Sequence, residues 1–172
     1  MRPKILIQLV VWLMCCSAAQ AAAAGRFALV IGNGDYQNAP RLANPVNDAR
    51  DVAAAFERLG FSVKLLGNGT FDAMRRALLE FAPQAQAAEI AVVFFAGHGM
   101  EIRDENWLIP VDAEMKMDIA TGQEAVSLGS ILPIVSRARK LGLVMLDACR
   151  DNPFSKQLQM SQPSSTWIAT RG

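Results

Sequence analysis

Residues 90–99 read IAVVFFAGHG, an apolar run that closes with a histidine between two glycines. Continuous apolar strands of this kind are typical of parallel sheets that are covered by helices on both faces. The stretch therefore predicts a buried strand over residues 90–95, with His98 just beyond its end. That place is important because ligands of open parallel sheets bind beyond the carboxyl ends of the strands.

Three other short runs have the same apolar, branched composition, and they predict three more strands. These runs cover residues 27–31, 61–66 and 143–146. Cys149 follows the last of them, as His98 follows the strand at 90–95. Because parallel strands present their carboxyl ends at one edge of the sheet, we expect Cys149 and His98 to lie close together.

The segments between these runs have the three- and four-residue spacing of helices that pack one apolar face on a sheet. Asn44 can cap the first helix, with Pro45 at its first position and Gly60 just past its end. Thr70 can cap the second helix, which we expect to end near Pro83.

A third helix is predicted over residues 130–140, where a basic last turn suits the negative end of the helix dipole. The basic residues of that turn are Arg137, Arg139 and Lys140. The order β-α-β-α-β-loop-α-β predicts an α/β domain with right-handed crossovers.

The first 24 residues have the composition of a secretory signal peptide. Arg2 and Lys4 precede an apolar run over residues 5–16, and alanines with A-x-A spacing follow. The run is shorter than the ~20 residues that a membrane span needs. We therefore predict cleavage after Ala21 or Ala24, no stable membrane insertion afterwards, and a secreted or periplasmic location. A retained membrane anchor is the alternative.

Removal of this leader changes the charge and the cysteine content of the chain. The formal charge falls from +1 to −1 because Arg2 and Lys4 are lost, so the mature protein has no basic field that would attract nucleic acid. The number of cysteines falls from three to one, which excludes an intramolecular disulfide. An unpaired thiol is unusual in an oxidising compartment, where cysteines tend to form disulfides, and a catalytic role would explain its presence.

A thiol and an imidazole at one sheet edge can cleave peptide bonds. The imidazole of His98 can take the proton of the Cys149 thiol and can later protonate the leaving amine. Glycines on both sides of His98 allow a substrate backbone to approach, and the Gly99 N–H can face a developing oxyanion. The alternatives are a loop histidine without a role, a buried cysteine that only packs, and a redox thiol, although no C-x-x-C motif is present.

Several motifs, in order along residues 26–154, resemble the caspase-like cysteine proteases, in particular the bacterial metacaspase type. They are ALVIGN at 28–33, LANPVNDA at 42–49, LGF at 59–61, GHG at 97–99, WLIPVD at 107–112 and DACRDNPF at 147–154. Cys149 follows His98 by 51 residues, close to the spacing of about 50 between the caspase histidine and cysteine.

The resemblance implies a caspase-like three-layer sandwich, with a mostly parallel sheet and helices on both faces. It implies a cysteine endopeptidase acting on a peptide or protein substrate, with His98 and Cys149 as the catalytic dyad. The main-chain N–H groups of Gly99 and Cys149 would form the oxyanion hole. In the metacaspase type, Asp48 and Asp147 would form an acidic pocket that selects Arg or Lys by charge. The alternative for Asp48 is an ordinary exposed helix acid.

No cofactor is predicted from the sequence. Residues 32–37 (GNGDYQ) begin like a dinucleotide-binding loop but lack its third glycine, so they are interpreted as a turn. One histidine and one cysteine cannot build a structural zinc site. Some metacaspase-type proteins need calcium, but the acid-rich stretch after the third strand lacks an EF-hand pattern and is interpreted as a solvated loop. Its acids are Asp104, Glu105, Asp112, Glu114 and Asp118.

The chain ends 23 residues after Cys149, where the resemblance implies a further segment with more strands. Only residues 166–170 (TWIAT) could begin another strand, so residues 155–172 are predicted to form a short tail. The expected organisation is a leader at 1–24, a catalytic domain at 25–154 and this tail, with the sheet truncated at its C-terminus. We expect self-association or a partner that completes the sheet. The alternative function is a truncated, non-catalytic scaffold or a partner-dependent fragment.

Overall fold

The computed structural model describes residues 25–102, 104–114, 121–149 and Pro153. The predicted leader, the predicted tail and Asp118 lie outside these residues. Within the described ranges, none of the helices combines the length and the apolar character that a membrane crossing requires.

The described chain contains six strands and four helices, which confirms the predicted α/β class. All four predicted strands are present, and two further strands follow the third. The elements are β1 (Arg26–Gly32), α1 (Pro45–Arg58), β2 (Ser62–Gly67), α2 (Phe71–Ala87), β3 (Ile90–Ile102), β4 (Glu105–Leu108), α3 (Thr121–Glu124), β5 (Val126–Ser127), α4 (Leu128–Val135) and β6 (Leu141–Cys149).

The sheet has a parallel part in the order β2-β1-β3-β6. Alternate residues of β1 and β3 point to opposite faces, and helices cover both. Val30 and Phe94 belong to the core under α1, whereas Leu29 and Phe95 belong to the core under α2 and α4. The result is the predicted three-layer arrangement, with the carboxyl ends of β1, β3 and β6 at one edge.

β3 is longer than predicted, and this corrects the place of His98. The strand continues through the Gly-His-Gly motif to Ile102, so His98 lies inside it rather than after it. Beyond the glycines, Met100 is again buried, in a second core with Ile109 and Val111. This half of β3 pairs with β4 in antiparallel register, and β4 pairs with β5, so the sheet is mixed and curls at this end.

The first two helices start where predicted, but their ends differ in detail. The Asn44 side chain makes no capping hydrogen bond; instead its main-chain oxygen accepts from the N–H groups of Asn47 (2.8 Å) and Asp48 (3.0 Å). Thr70 does cap α2, because its hydroxyl accepts from the Ala73 N–H at 3.2 Å. α2 runs past Pro83 to Ala87, so this proline lies inside the helix, where it donates no main-chain hydrogen bond.

The third predicted helix is shifted and shorter, and its basic last turn was a wrong prediction. α4 covers Leu128–Val135 and is capped by Ser127, whose hydroxyl accepts from the Ser130 N–H at 3.1 Å. The basic residues lead instead into β6. The N–H groups of Arg139 and Lys140 donate to the Ala88 and Glu89 carbonyls at 3.0 and 2.9 Å, which ties this segment to the start of β3.

Candidate active site

His98 is anchored through its main chain on the side of β3 that faces β1 and β4. Its carbonyl accepts from the Ile109 N–H at 3.1 Å, and its N–H donates to the Tyr36 hydroxyl at 2.7 Å. The same hydroxyl donates to the Ile109 carbonyl at 3.3 Å. Tyr36 thus bridges two main-chain groups that an ordinary antiparallel pair would join directly.

The imidazole of His98 is oriented by a main-chain carbonyl and by an aromatic ring. Its Nε2 lies 2.8 Å from the carbonyl oxygen of Pro40, and its ring centroid lies 4.5 Å from that of Tyr36 at an interplanar angle of 48°. Because a carbonyl can only accept, Nε2 must carry the hydrogen of this bond. In the neutral ring, Nδ1 is therefore the nitrogen with a free lone pair.

The main chain of Cys149 lies directly across the sheet from His98. Cys149 is the last residue of β6, and its Cα pairs in register with that of His98 in the parallel β3–β6 ladder. Neighbouring strands are separated by about 4.8 Å. The structure thus brings together the two residues that the sequence placed at one sheet edge, as neighbours at the end of a shared ladder.

Gly99 lies next in β3, and the strand geometry gives the direction of its N–H. Main-chain N–H groups alternate in direction along a strand. Since the N–H and carbonyl of His98 face β4 and its flanking loop, the N–H of Gly99 faces β6, at the end of the ladder beside Cys149.

Asp48 and Asp147 line one open cavity of about 510 Å³ next to this strand end. Asp48 comes from α1 and is half-buried, whereas Asp147 comes from β6 and is exposed. Asp147 is the register partner of Ala96, which also lines the cavity together with Gly97. Two carboxylates from distant parts of the sequence therefore share one cavity, two residues along β6 from Cys149.

A family model of the caspase domain matches residues 25–169. The chain belongs to the caspase domain family. Proteins of this family are cysteine peptidases that act on protein substrates. The curled α/β fold described above is consistent with a caspase domain, as the motifs of the sequence predicted.

Curated relatives support the same assignment. The caspase domain is 29% identical over 132 residues to the mucosa-associated lymphoid tissue lymphoma translocation protein 1 of Homo sapiens, covering 76% of this chain and 16% of that protein. It is 32% identical over 78 residues to caspase-1 of Rattus norvegicus, covering 44% of this chain and 19% of that protein. The chain thus spans less than a fifth of the length of these relatives.

Sequence reasoning missed the residues that fix the His98 side of the caspase domain. Asn33 is fully buried, and its side chain donates to the Ile109 carbonyl at 3.0 Å and accepts from the Gly69 N–H at 2.8 Å. Asn33 and Tyr36 lie directly after β1 in the motif that was interpreted only as a turn. The sequence does contain a signal for them, because both residues follow the carboxyl end of β1, which neighbours β3 in the parallel sheet. The same criterion identifies His98 as a candidate.

Two acids of the acid-rich stretch bind the starts of helices instead of lying free in a solvated loop. An Asp112 carboxylate oxygen accepts from the Phe71 N–H at 2.9 Å, at the start of α2. A Glu105 oxygen accepts from the Gly129 N–H at 2.9 Å, and this bond lowers the pKa of Glu105. These acids complement the positive ends of two helices. In the described ranges, no three histidine, cysteine or acidic residues come together in a group that could hold a metal ion.

Proposed function

We propose that this caspase domain is a cysteine endopeptidase in which Cys149 is the nucleophile and His98 is its base. The observation that carries the proposal is the register pairing of His98 with Cys149 at the end of the β3–β6 ladder. It is supported by the Pro40 carbonyl, which accepts from Nε2 and leaves Nδ1 as the basic nitrogen.

The reaction follows from these roles. Nδ1 of His98 takes the proton of the Cys149 thiol, and the thiolate sulfur forms a bond to the scissile carbonyl carbon. As the tetrahedral intermediate collapses, the carbon–nitrogen bond breaks and the imidazolium returns its proton to the leaving amine. Water, deprotonated by the same imidazole, then hydrolyses the thioester and restores the thiol.

The negative charge on the carbonyl oxygen needs N–H donors, and we assign them to Gly99 and Cys149. The support for Gly99 is the alternation that turns its N–H toward β6. This role requires that the main-chain N–H groups of Gly99 and Cys149 donate to the oxyanion and not to carbonyl groups of the neighbouring strand. Donors aimed at a developing oxyanion each contribute about 100-fold or more to the rate.

We assign specificity for Arg or Lys before the cleaved bond to the cavity that Asp48 and Asp147 line. A guanidinium or ammonium group placed there would be paired with two carboxylates, whereas an aspartate side chain would be repelled. This assignment follows the metacaspase-type resemblance of the motifs at 42–49 and 147–154. The composition of residues 1–24 further supports export, so we propose a secreted or periplasmic location for the protein.

The test is hydrolysis of two fluorogenic peptides that differ only in Arg or Asp before the reporter, with and without calcium. We expect turnover of the Arg peptide only, and no turnover by Cys149→Ala. Asp147→Asn is expected to lower kcat/KM for the Arg peptide about 30-fold, because a charge-assisted pair is lost. The matched control is Asp51→Asn, which removes an exposed carboxylate from the same helix as Asp48 but outside the cavity.

Two outcomes would contradict parts of this proposal separately. Equal cleavage of both peptides would remove the acidic pocket but leave the nucleophile in place. Turnover that survives in Cys149→Ala would exclude Cys149 as the nucleophile. A folded protein without any turnover would instead favour a non-catalytic scaffold or a partner-dependent fragment.

A further inference from the structure

We propose that Tyr36 is a positioning residue for His98, holding the imidazole with Nε2 on the Pro40 carbonyl and Nδ1 as the free base. The inference rests on the function proposed above for His98. It assigns a role to a residue that lies 62 positions before the histidine and that the motifs of the sequence left unexplained.

The hydroxyl of Tyr36 fixes the main chain of His98. The residue is only 3% exposed, and its hydroxyl lies between the His98 N–H and the Ile109 carbonyl, 2.7 and 3.3 Å away. A hydroxyl that both accepts and donates can satisfy two buried main-chain groups at once. Its removal would leave a donor and an acceptor unpaired, so the strand would have to shift at His98.

The ring of Tyr36 acts on the side chain of the same histidine. Its centroid lies 4.5 Å from that of the imidazole, which is within the range of aromatic pairs in proteins. One face of the imidazole is thus packed against the tyrosine while its Nε2 is bonded to Pro40. Rotation of the imidazole would break both contacts together.

The close packing of Gly97 against Tyr36 is independent support for this role. A Cβ at this position would lie 2.6 Å from the Tyr36 hydroxyl oxygen and 3.1 Å from the Asn33 carbonyl oxygen. The φ angle of Gly97 is +154°, which also favours glycine. The hydroxyl therefore occupies the space that the side chain of any other residue before His98 would need.

The test is Tyr36→Phe, which removes only the hydroxyl. We expect kcat for the Arg peptide to fall about 10- to 30-fold, with KM within about twofold, because orientation of the base affects the chemical step. Nitrogen NMR of the His98 imidazole distinguishes positioning of this ring from a role of Tyr36 in stability alone, because it reports which ring nitrogen carries the hydrogen. His98 is the single histidine of the chain, so its tautomer is read without assignment. We expect the single Nε2–H form of the parent protein to become a mixture in Tyr36→Phe.

The matched control is Ser127→Ala, which removes the cap of α4 and costs about 1 kcal/mol without touching His98. It is expected to leave kcat and the tautomer unchanged. An unchanged tautomer in Tyr36→Phe, or a loss of kcat no larger than in the control, would overturn the proposal. If the parent protein cleaves no peptide, the proposed function fails, but the tautomer measurement still decides the role of Tyr36.

A second variant covers the case in which Tyr36→Phe does not fold. Tyr36 is the only tyrosine, so biosynthetic incorporation of a ring-fluorinated tyrosine changes this position alone. The fluorinated hydroxyl is a weaker acceptor, and we expect the His98 amide proton signal to move upfield while the circular dichroism stays constant. An unmoved signal would contradict the bond on which the proposal rests.

Discussion

The two sides of β3 hold the two proposed catalytic residues in very different ways. On one side, which we call the packed flank, β1, residues 33–44 and residues 109–113 close around His98, and Asn33 and Tyr36 are buried there. On the other side, the open flank, β6 is paired to β3 but carries four large apolar side chains that are 39–48% exposed. These side chains belong to Leu141, Leu143, Met145 and Leu146.

This difference indicates that His98 and Cys149 are held in place to different degrees. The packed flank positions His98, the proposed base, through tertiary hydrogen bonds from residues far away in the sequence. The open flank positions Cys149 and Asp147 mainly through the pairing of β6 with β3, its only strand partner within the described chain. In addition, the half-buried Val144 and Ala148 of β6 pack against the core under α2 and α4. Elements with few buried contacts open locally at low free energy. We therefore expect the base to be fixed in the free protein and the nucleophile strand to be the less stable partner.

The largest effect is expected from Gly97→Ala, which would force a methyl group into the packed flank. The added Cβ would lie 2.6 Å from the Tyr36 hydroxyl and 3.0 Å from the Phe95 ring. Overpacking and a strained φ together are expected to cost about 3 kcal/mol of unfolding free energy. A shift of His98 by 1 Å would also lower peptide turnover about 100-fold. Urea unfolding and the fluorogenic assay measure the two losses.

Gly60→Ala is the matched control for this substitution. Gly60 also has a positive φ of +80°, but no atom lies within 4 Å of the Cβ that the variant would add. We expect a loss of only about 1 kcal/mol, from backbone strain alone, and unchanged turnover. Equal losses in the two variants would show that the packed flank tolerates the methyl group and is less tightly packed than the distances indicate.

The strands, and the sheet edge at which their carboxyl ends lie, were predictable from the sequence because they depend on local composition. Runs such as residues 90–95 are apolar on both faces, and such runs are typical of the strands of parallel sheets. The same rule placed His98 and Cys149 at one edge, where the register pairing now finds them. The family motifs then added the candidate roles of Asp48 and Asp147.

The packed flank itself was not predictable, because the side-chain hydrogen bonds of Tyr36 and His98 within it join segments that are distant in the sequence. Tyr36 meets Ile109 across 73 positions, and no local pattern reports such a contact. The extra length of β3 has the same origin, since its second half exists only by pairing with β4. The error at residues 130–140 arose from treating charge as a helix signal where main-chain bonds to Ala88 and Glu89 decide the conformation.

A second prediction compares the flanks by native-state hydrogen exchange. We expect the amides of β6 to open with free energies at least about 2 kcal/mol below those of β1. The control is β2, the other edge strand of the parallel part, which packs under α1 through Val63. We expect β2 to lie between them. Protection of β6 equal to that of β1 would mean that the open flank is covered in solution, and its dependence on protein concentration would reveal self-association.

The smallest effect concerns pH and tests the packed flank alone. Burial raises the pKa of Tyr36 above its ordinary value, and the bond from the His98 N–H only partly opposes this. The unfolded chain therefore loses the tyrosine proton near pH 10, while the native protein still holds it. Stability is fully present below pH 10 and should fall above it by about 1.4 kcal/mol per pH unit. Because Tyr36 is the only tyrosine, tyrosinate absorbance reports the native pKa directly. Tyr36→Phe should lack this slope in urea unfolding, and an equal slope in both proteins would mean that the hydroxyl is open to solvent.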